Sequence, residues 1–182
     1  VSRGGSLDAT LDLAEQEVFM REYSALRLLN HVHIVKIGRK KNVEMPYIPE
    51  EYCENGSAAP LVGKLKLKDV LLLGAQAADA LAYAHSKQVV HGDVKPANML
   101  FTRDGILKLS DFSLAKISEE AYSRRLYSPG YAAPEQVFPE LGEPSEQSDV
   151  WMLAATLYEL ATGKTIGPRY SYRSWLKKAR KQ

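Results

Sequence analysis

Three stretches of this chain have the hydrophobic spacing of α-helices. Apolar side chains recur on one stripe over residues 12–30 and again over residues 68–86, which predicts two amphipathic helices. Residues 145–163 are apolar nearly all round, so we expect a third helix that is buried on every side. Two shorter apolar runs, residues 34–37 and 44–48, lie on either side of a charged turn and predict strands.

A β-hairpin is predicted near the middle of the chain. The apolar runs Met99–Phe101 and 106–109 flank Arg103-Asp104-Gly105, which is a tight turn of the Asp-Gly kind. Asn98 and Asp111 stand at the two open ends of this hairpin. Hairpin geometry therefore brings these two polar residues together.

The first predicted helix carries a carboxylate within its apolar stripe. Glu22 lies four residues after Val18 and four before Leu26. A carboxylate on the buried face of a helix needs a partner, because burying a charge alone is costly. The alternative is that Glu22 is solvated at the edge of the stripe.

The composition is that of an ordinary globular protein. The 182 residues suit one domain, or one domain with a fragment, and 45% are hydrophobic while 25% are charged. Residues 1–163 hold all 22 acidic residues and 17 of the 24 basic ones, so they carry −5 while the remaining residues carry +7. The lone Cys53 excludes an internal disulfide and favours a reducing compartment. No apolar run is long enough to span a bilayer, and no signal peptide is evident, so we expect a cytoplasmic protein.

A polar loop between two apolar runs carries three chemically useful side chains at fixed offsets. The Asp93 carboxylate can accept a proton from a hydroxyl. Lys95, two residues on, can neutralise phosphate charge, and Asn98 can supply an oxygen to a hard cation such as Mg²⁺. This set suits phosphoryl transfer, in which catalysis is mostly positioning and charge stabilisation.

Four motifs in the chain resemble those of protein kinases. The stretch from His91 to Asn98, H-G-D-V-K-P-A-N, resembles the catalytic loop H-R-D-x-K-P-x-N with glycine in place of arginine. Asp111-Phe112-Ser113 resembles the D-F-G triplet, Ala133-Pro134-Glu135 resembles A-P-E, and Ser148-Asp149-Val150-Trp151 resembles the S-D-V-W start of a helix. All four stand in the order of the family.

The resemblance implies an α+β fold with two lobes. It divides the chain into residues 1–52, a partial small lobe with a sheet and one helix, residues 53–163, the core of a mainly helical large lobe, and residues 164–182, a basic tail. Lys95-Pro96 resembles the sequence of the serine/threonine branch of the family, and Ser128 stands where that branch has a hydroxyl residue. The implied reaction transfers the γ-phosphate of ATP, with Mg²⁺, to Ser or Thr hydroxyls of a protein substrate.

The resemblance also implies residue roles. Asp93 would be the base, Lys95 would stabilise the transferred phosphate, and Asn98 and Asp111 would hold Mg²⁺. The residues that it implies around ATP are Glu22 (through a strand lysine), Glu51 and Cys53 (through their backbones) and Leu100 (as the floor of the adenine pocket). Those that it implies for the activation segment or for structural support are Ser128, Glu135 and Asp149.

The chain also departs from the family pattern. No glycine-rich loop precedes the first helix, and the first lysine is Lys36, so we expect the chain alone to be weak or inactive. Glu50 stands just before the hinge, where the family usually has an apolar residue or threonine, and Ser113 replaces glycine. A non-catalytic binding module is therefore one alternative. Another is a small-molecule phosphotransferase of the aminoglycoside or choline kinase type, which begins its loop with His-Gly-Asp but lacks Lys-Pro and A-P-E.

Two further expectations concern charge. Gly92 offers no side-chain donor to a phosphate on the activation segment, so we expect activity to be insensitive to phosphorylation there. The basic tail could bind anionic lipid or nucleic acid, but such runs are more often only solvated. We expect no nucleic-acid partner.

Overall fold

The computed structural model describes residues 23, 26–38, 49–112 and 127–166. Its helices are α1 (Leu67–Ser86), α2 (Pro134–Val137) and α3 (Glu146–Thr162), and its strands are β1 (Met99–Phe101) and β2 (Leu107–Leu109). Three short 3₁₀ turns, Ala59–Leu61, Pro96–Asn98 and Pro139–Leu141, link these elements. The α+β class expected from the sequence is confirmed.

Helix α1 forms because its apolar residues recur with a helical period. Its buried positions run along one face, and they are Val70, Leu73, Gly74, Ala77, Ala80, Leu81 and Ala84. This face packs on α3 and on strand β2. The helix begins at Leu67, one residue earlier than the predicted range, and the small alanines let its backbone lie close to its neighbours.

Helix α3 begins and ends with capping features. The Ser145 N–H donates to the Ser148 hydroxyl at 2.8 Å before the first turn, and Gly163 ends the helix in the left-handed conformation at φ 72°. Met152, Thr156 and Leu160 are buried along one face, and Leu157 packs against Gly74 of α1. The opposite face is not covered, and its exposed side chains are Val150, Trp151 and Tyr158. The prediction of burial on every side is therefore wrong, because apolar character does not say which neighbour covers a face.

The predicted hairpin is confirmed. Strand β1 pairs antiparallel with β2, with Met99 opposite Leu109, Leu100 opposite Lys108 and Phe101 opposite Leu107. Met99, Leu107 and Leu109 are fully buried in the same core cluster as the inner face of α1. The strand begins at Leu107, because Ile106 belongs to the turn.

The predicted N-terminal elements lie only partly within the described residues. Tyr23, Leu26 and Arg27 are helical, but Leu28, Leu29 and Asn30 are not, so the helix ends earlier than predicted. Glu22 and the predicted strand 44–48 fall outside the described ranges. The predicted strand 34–37 appears as two single bridges, Ile34 to Leu109 and Ile37 to Glu50. Among the described residues these bridges do not extend into a ladder, because the two ends of this stretch pair with different segments.

Within the described ranges, no helix has both the length and the apolar character needed to cross a bilayer.

Two glycines hold a close backbone contact between the loop before α1 and the end of α3. The Gly63 N–H donates to the Leu160 carbonyl at 2.9 Å. A Cβ on Gly63 would stand 3.0 Å from the Gly163 Cα, and Gly63 has φ +69°. Side chains are therefore disfavoured at position 63 both by its backbone conformation and by the space available.

We expect Gly63→Ala to lower the free energy of unfolding of the chain by more than Gly56→Ala does. Gly56 is a matched control, because its φ is +68° and a Cβ there would meet nothing within 4 Å. Both substitutions cost about 1–2 kcal/mol from the left-handed backbone, and Gly63→Ala adds about 1 kcal/mol or more from the close contact. Urea unfolding of the two variants measures the difference. Equal losses would show that the contact with Gly163 contributes nothing.

Candidate active site

A buried carboxylate fixes the backbone of the loop that begins at His91. Asp149, in the first turn of α3, has no exposed surface. Its Oδ2 accepts the His91 N–H at 2.8 Å and the His85 Nε2–H at 2.8 Å, and its Oδ1 accepts the Gly92 N–H at 2.7 Å. Hydrogen bonds to an ionised group are stronger than neutral ones. The loop therefore starts from a rigid anchor on helix α3.

The side chains of Asp93, Lys95 and Ser128 contact one another. The Lys95 ammonium lies 2.6 Å from the Asp93 Oδ2 and 2.8 Å from the Ser128 hydroxyl oxygen. The Ser128 hydroxyl donates to the Asp93 Oδ1 at 2.7 Å. The side chains of Asp93 and Lys95 keep about a quarter of their surface exposed, at 24% and 26%. This triangle joins residues 33 positions apart and remains accessible to a small group.

Asn98 lies under the same carboxylate. Its amide nitrogen donates to the Asp93 carbonyl at 2.9 Å and to the Asp93 Oδ2 at 3.2 Å. Both bonds use the nitrogen, so the amide oxygen remains as a possible ligand or acceptor. The Asn98 side chain is nevertheless largely buried, which holds it in one orientation.

The hairpin joins Asn98 to the segment of Asp111. The Ser110 N–H donates to the Asn98 carbonyl at 3.0 Å, one residue before Asp111. Asp111 is exposed and has φ +54°, a left-handed conformation that aspartate tolerates better than most residues. The Asn98 amide oxygen and the Asp111 carboxylate therefore belong to residues that are close together at the open end of the hairpin. Among the described residues, no group of three or more His, Cys, Asp or Glu side chains could hold a metal ion.

His91 packs in the core behind this loop. Its ring lies 4.4 Å from the Phe112 ring, and its Nδ1 accepts the Asp93 N–H at 3.3 Å. Burial lowers the pKa of His91, although the charges of Asp149 and Asp93 act in the opposite direction. The ring is therefore neutral with its proton on Nε2, and it is a packing residue rather than a proton carrier.

An ion pair connects strand β2 to the segment at Glu51. The Lys108 ammonium, almost fully buried, lies 3.0 Å from the Glu51 Oε2, which also accepts the Lys36 N–H at 3.1 Å. Partial burial acts to raise the pKa of Glu51, but the hydrogen bonds from Lys108 and Lys36 outweigh it and hold that pKa below its ordinary value. Leu100 stands opposite Lys108 in the hairpin, so both side chains are on the same face of the sheet. Leu100 therefore lies on the face that turns toward Glu51.

Backbone groups of the segment 51–53 are partly used. The Glu51 N–H donates to the Lys36 carbonyl at 2.9 Å, and the Cys53 carbonyl accepts the Gly56 N–H at 3.2 Å. The Glu51 carbonyl and the Cys53 N–H remain as the groups that could bond a ligand edge. The Cys53 side chain is buried, and burial together with the charge of Glu51 raises the pKa of its thiol.

Glu50 stands at the edge of this region. It bridges to Ile37 through its backbone, and its side chain remains open to solvent. Partial enclosure raises the pKa of Glu50, and the negative charge of Asp111 raises it further. The negative charge of Asp111 therefore disfavours the ionised form of the Glu50 carboxyl group.

Helix α2 supports the loop from the other side. The Gln136 amide donates to the Gly92 carbonyl at 2.8 Å, and its oxygen accepts the Ala133 N–H at 2.9 Å. Glu135, for its part, accepts the Ser148 hydroxyl, at the start of α3. Sequence reasoning missed Gln136 and Lys108, since neither belongs to a motif and each bonds a residue far away in the chain. Glu22, which was predicted to contribute, lies outside the described residues.

The comparisons with known proteins agree on one family. The family model described as the protein kinase domain matches residues 8–182. The cytokinesis protein sepH of Emericella nidulans is 37% identical over 161 residues, which is 86% of this chain and 12% of that protein. MAP3K epsilon protein kinase 2 of Arabidopsis thaliana is 36% identical over 152 residues, which is 79% of this chain and 11% of that protein.

A third relative is much shorter. The CBL-interacting serine/threonine-protein kinase 21 of Arabidopsis thaliana is 36% identical over 151 residues, which is 79% of this chain and 35% of that protein. The chain thus spans only a minor part of the length of each of these relatives.

We expect Glu50→Gln to stabilise the fold at neutral pH and to have no effect in acid. A raised pKa means that the folded state binds the proton more tightly, so an ionised Glu50 lowers stability at neutral pH. This cost disappears as the pH falls below the ordinary value of 4.5, where Glu50 is protonated in both states. The gain is below about 1 kcal/mol, since water screens an exposed carboxylate.

Urea unfolding at several pH values measures this effect, with the exposed Glu140 as the matched control in Glu140→Gln. A stabilisation by Glu50→Gln that stays constant from neutral pH into acid would contradict the proposed repulsion.

Proposed function

The chain belongs to the protein kinase family, and we propose that it carries the catalytic core of a serine/threonine protein kinase. The reaction is transfer of the γ-phosphate of ATP to Ser or Thr hydroxyls of protein substrates. The observation that carries this proposal is the set of contacts among Asp93, Lys95, Ser128 and Asn98. These contacts hold a base, a cation and a possible metal ligand within one hydrogen-bonded group.

Asp93 is the base in this proposal. Lys95 binds its Oδ2 and Ser128 binds its Oδ1, so the carboxylate cannot rotate. Its partial exposure leaves room for a hydroxyl to approach. The substrate hydroxyl gives its proton to Asp93 while its oxygen attacks the γ-phosphorus, and the bond from that phosphorus to the β–γ bridging oxygen breaks, so that ADP leaves.

Lys95 stabilises the phosphate that is being transferred. Its ammonium has three donors, and its two short contacts, to Asp93 and to Ser128, leave one for a phosphate oxygen. Ser128 keeps Lys95 and Asp93 at fixed separation. A serine here, together with Lys95-Pro96, supports serine/threonine specificity over tyrosine specificity.

Asn98 and Asp111 would hold Mg²⁺. The donors fit this ion, because an amide oxygen and an exposed carboxylate are hard ligands, and Mg²⁺ completes its shell with phosphate oxygens and water. The ion, when bound, neutralises charge on the phosphates of ATP.

The nucleotide would lie between the segment 51–53 and strand β1. The Glu51 carbonyl and the Cys53 N–H would bond the adenine edge, with Leu100 below it as the floor of the pocket. Leu100 shares a face with Lys108, which binds Glu51, and this supports the assignment. Glu22 would join the ATP site through a lysine.

The other assignments extend this proposal. Residues 1–52 and 53–163 would form the small lobe and the large-lobe core, with 164–182 as a basic tail. Glu135 would support the activation segment, and Asp149 would support the catalytic loop. The proposed compartment is the cytoplasm. The activity and substrates of the whole protein are proposals too, because the chain covers 12% of sepH.

We expect Asp93→Asn to lower turnover by about 10²–10⁴, since the amide cannot accept the proton. Asp104→Asn, on the exposed hairpin turn, is the matched control and leaves turnover unchanged. The assay follows radiolabelled phosphate from ATP into mixed protein substrates with the longest available form of the protein, and phosphoamino-acid analysis identifies the acceptor. Unchanged turnover in Asp93→Asn would contradict the role of Asp93, and transfer only to a small alcohol would favour the small-molecule alternative.

A second prediction follows from Gly92. Its N–H binds Asp149 and its carbonyl binds Gln136, so it has no group left for a phosphate on the activation segment. We expect phosphatase treatment, and Ser118→Ala with Ser123→Ala, to leave turnover within about threefold. A loss beyond about tenfold, equivalent to ~1.4 kcal/mol of activation barrier, would show that another residue binds such a phosphate.

A further inference from the structure

Four lysines lie close together where α1 begins and α3 ends. Three of them alternate with apolar residues in the run from Gly63 to Asp69, and the fourth directly follows Gly163. All four are exposed: Lys64, Lys66, Lys68 and Lys164. We call this group, with the exposed leucines described below, the lysine–leucine surface.

The backbone contact between Gly63 and Gly163 holds these lysines together. Lys64 and Lys164 are the next residues after the two touching glycines, so their Cα atoms are within about 12 Å of each other. Leu65 packs against the core, which turns the neighbouring side chains outward. The Lys164 N–H donates to the Thr162 hydroxyl at 3.1 Å, which holds the backbone at the C-terminal end of α3 in place.

The four lysines form no close ion pair. Within the described ranges, no carboxylate lies within ion-pair distance of any of them, although Asp69 stands in the first turn of α1. Lys66 caps α1 without a side-chain hydrogen bond, and Lys68 lies in its first turn. Positive side chains at a helix N-terminus are unfavourable, because that end of the helix already carries partial positive charge.

Leucines are exposed beside the lysines on α1. Leu67, Leu71 and Leu72 have exposed fractions of 65%, 61% and 58%. Lys68 lies between them on the helix surface, since Leu71 and Leu72 are three and four residues further on. The outward face continues with exposed alanines at Ala75, Ala78 and Ala82 and with the exposed Asp79, which lies 3.3 Å from the His31 ring nitrogen. An outward face that is mostly leucine and alanine is unusual for a helix in water, where polar residues are expected.

We propose that the lysine–leucine surface binds the surface of an anionic lipid bilayer. Exposed leucines can enter the boundary between headgroups and acyl chains, while lysines with long flexible stems reach the headgroup phosphates. Charge complementarity favours this partner over a second copy of the chain, because two such surfaces would repel each other. The inference is independent of the proposed kinase activity.

The test is co-sedimentation of the chain with vesicles of phosphatidylcholine alone or with about 30% phosphatidylserine. We expect binding to the anionic vesicles only. Lys64→Ala with Lys66→Ala weakens that binding roughly 25-fold, about fivefold for each lysine. Leu67→Ser with Leu71→Ser weakens it by about tenfold or more. Circular dichroism checks that each variant is folded.

Matched controls separate this surface from a general effect of charge or of apolar residues. Lys36→Ala with Lys87→Ala removes the same charge elsewhere, and Leu28→Ser with Val32→Ser removes exposed apolar side chains far from the lysines. We expect each control to change binding by less than about threefold, since charge effects fall off over about 8 Å.

Three results would overturn the proposal. The first is equal binding to both kinds of vesicle. The second is anionic binding that neither test variant weakens, which would assign it to another part of the chain such as the basic tail. The third is a dimer in sedimentation equilibrium that Leu67→Ser with Leu71→Ser dissociates, which would make this face an interface between copies.

Discussion

The candidate site depends on one buried carboxylate. Asp149 is removed from water entirely, which would be costly for an unpaired charge. Two backbone N–H groups and the His85 ring satisfy its oxygens, and hydrogen bonds to a charged group contribute about 1.5–3 kcal/mol each. Because two of these donors are consecutive amides, the carboxylate fixes the direction in which the loop runs past the first turn of helix α3. The position of Asp93, two residues on, follows from that direction.

Local patterns in the sequence predicted the elements that such patterns control. Helix α1 and the hairpin follow from apolar periodicity and an Asp-Gly turn, and the hairpin brings Asn98 near Asp111 through the bond from Ser110. Gln136 and Lys108 could not be found in this way. Their partners lie 44 and 57 residues away in the chain, and no sequence spacing predicts contacts over such distances. The open face of α3 was missed for a similar reason. Composition identifies an apolar face, but only the arrangement of the neighbours decides whether it is covered.

The two halves of the proposed nucleotide site are joined by the same strand. Lys108 on β2 binds Glu51 through its side chain, while the residues that follow it lead to Asp111. The segment that would hold adenine and the residue that would hold Mg²⁺ are thus connected through Lys108 and the two residues that follow it, Leu109 and Ser110. Glu50 weakens this connection, whereas Lys108 strengthens it. The negative charge of Asp111 disfavours the ionised form of the Glu50 carboxyl group.

The contact between Gly63 and Gly163 has a consequence for how the sequence can vary. The two residues are one hundred positions apart, yet a Cβ on Gly63 would stand 3.0 Å from the Gly163 Cα, whereas a Cβ on Gly163 would meet the Gly63 Cα at an ordinary contact distance of 3.6 Å. A larger residue at position 63 requires the end of α3 to move, and that movement would also shift the Leu160 carbonyl that accepts the Gly63 N–H. A substitution at position 63 is therefore not independent of the end of α3. In a set of homologous sequences, a side chain at position 63 would be expected only where the end of α3 is also changed.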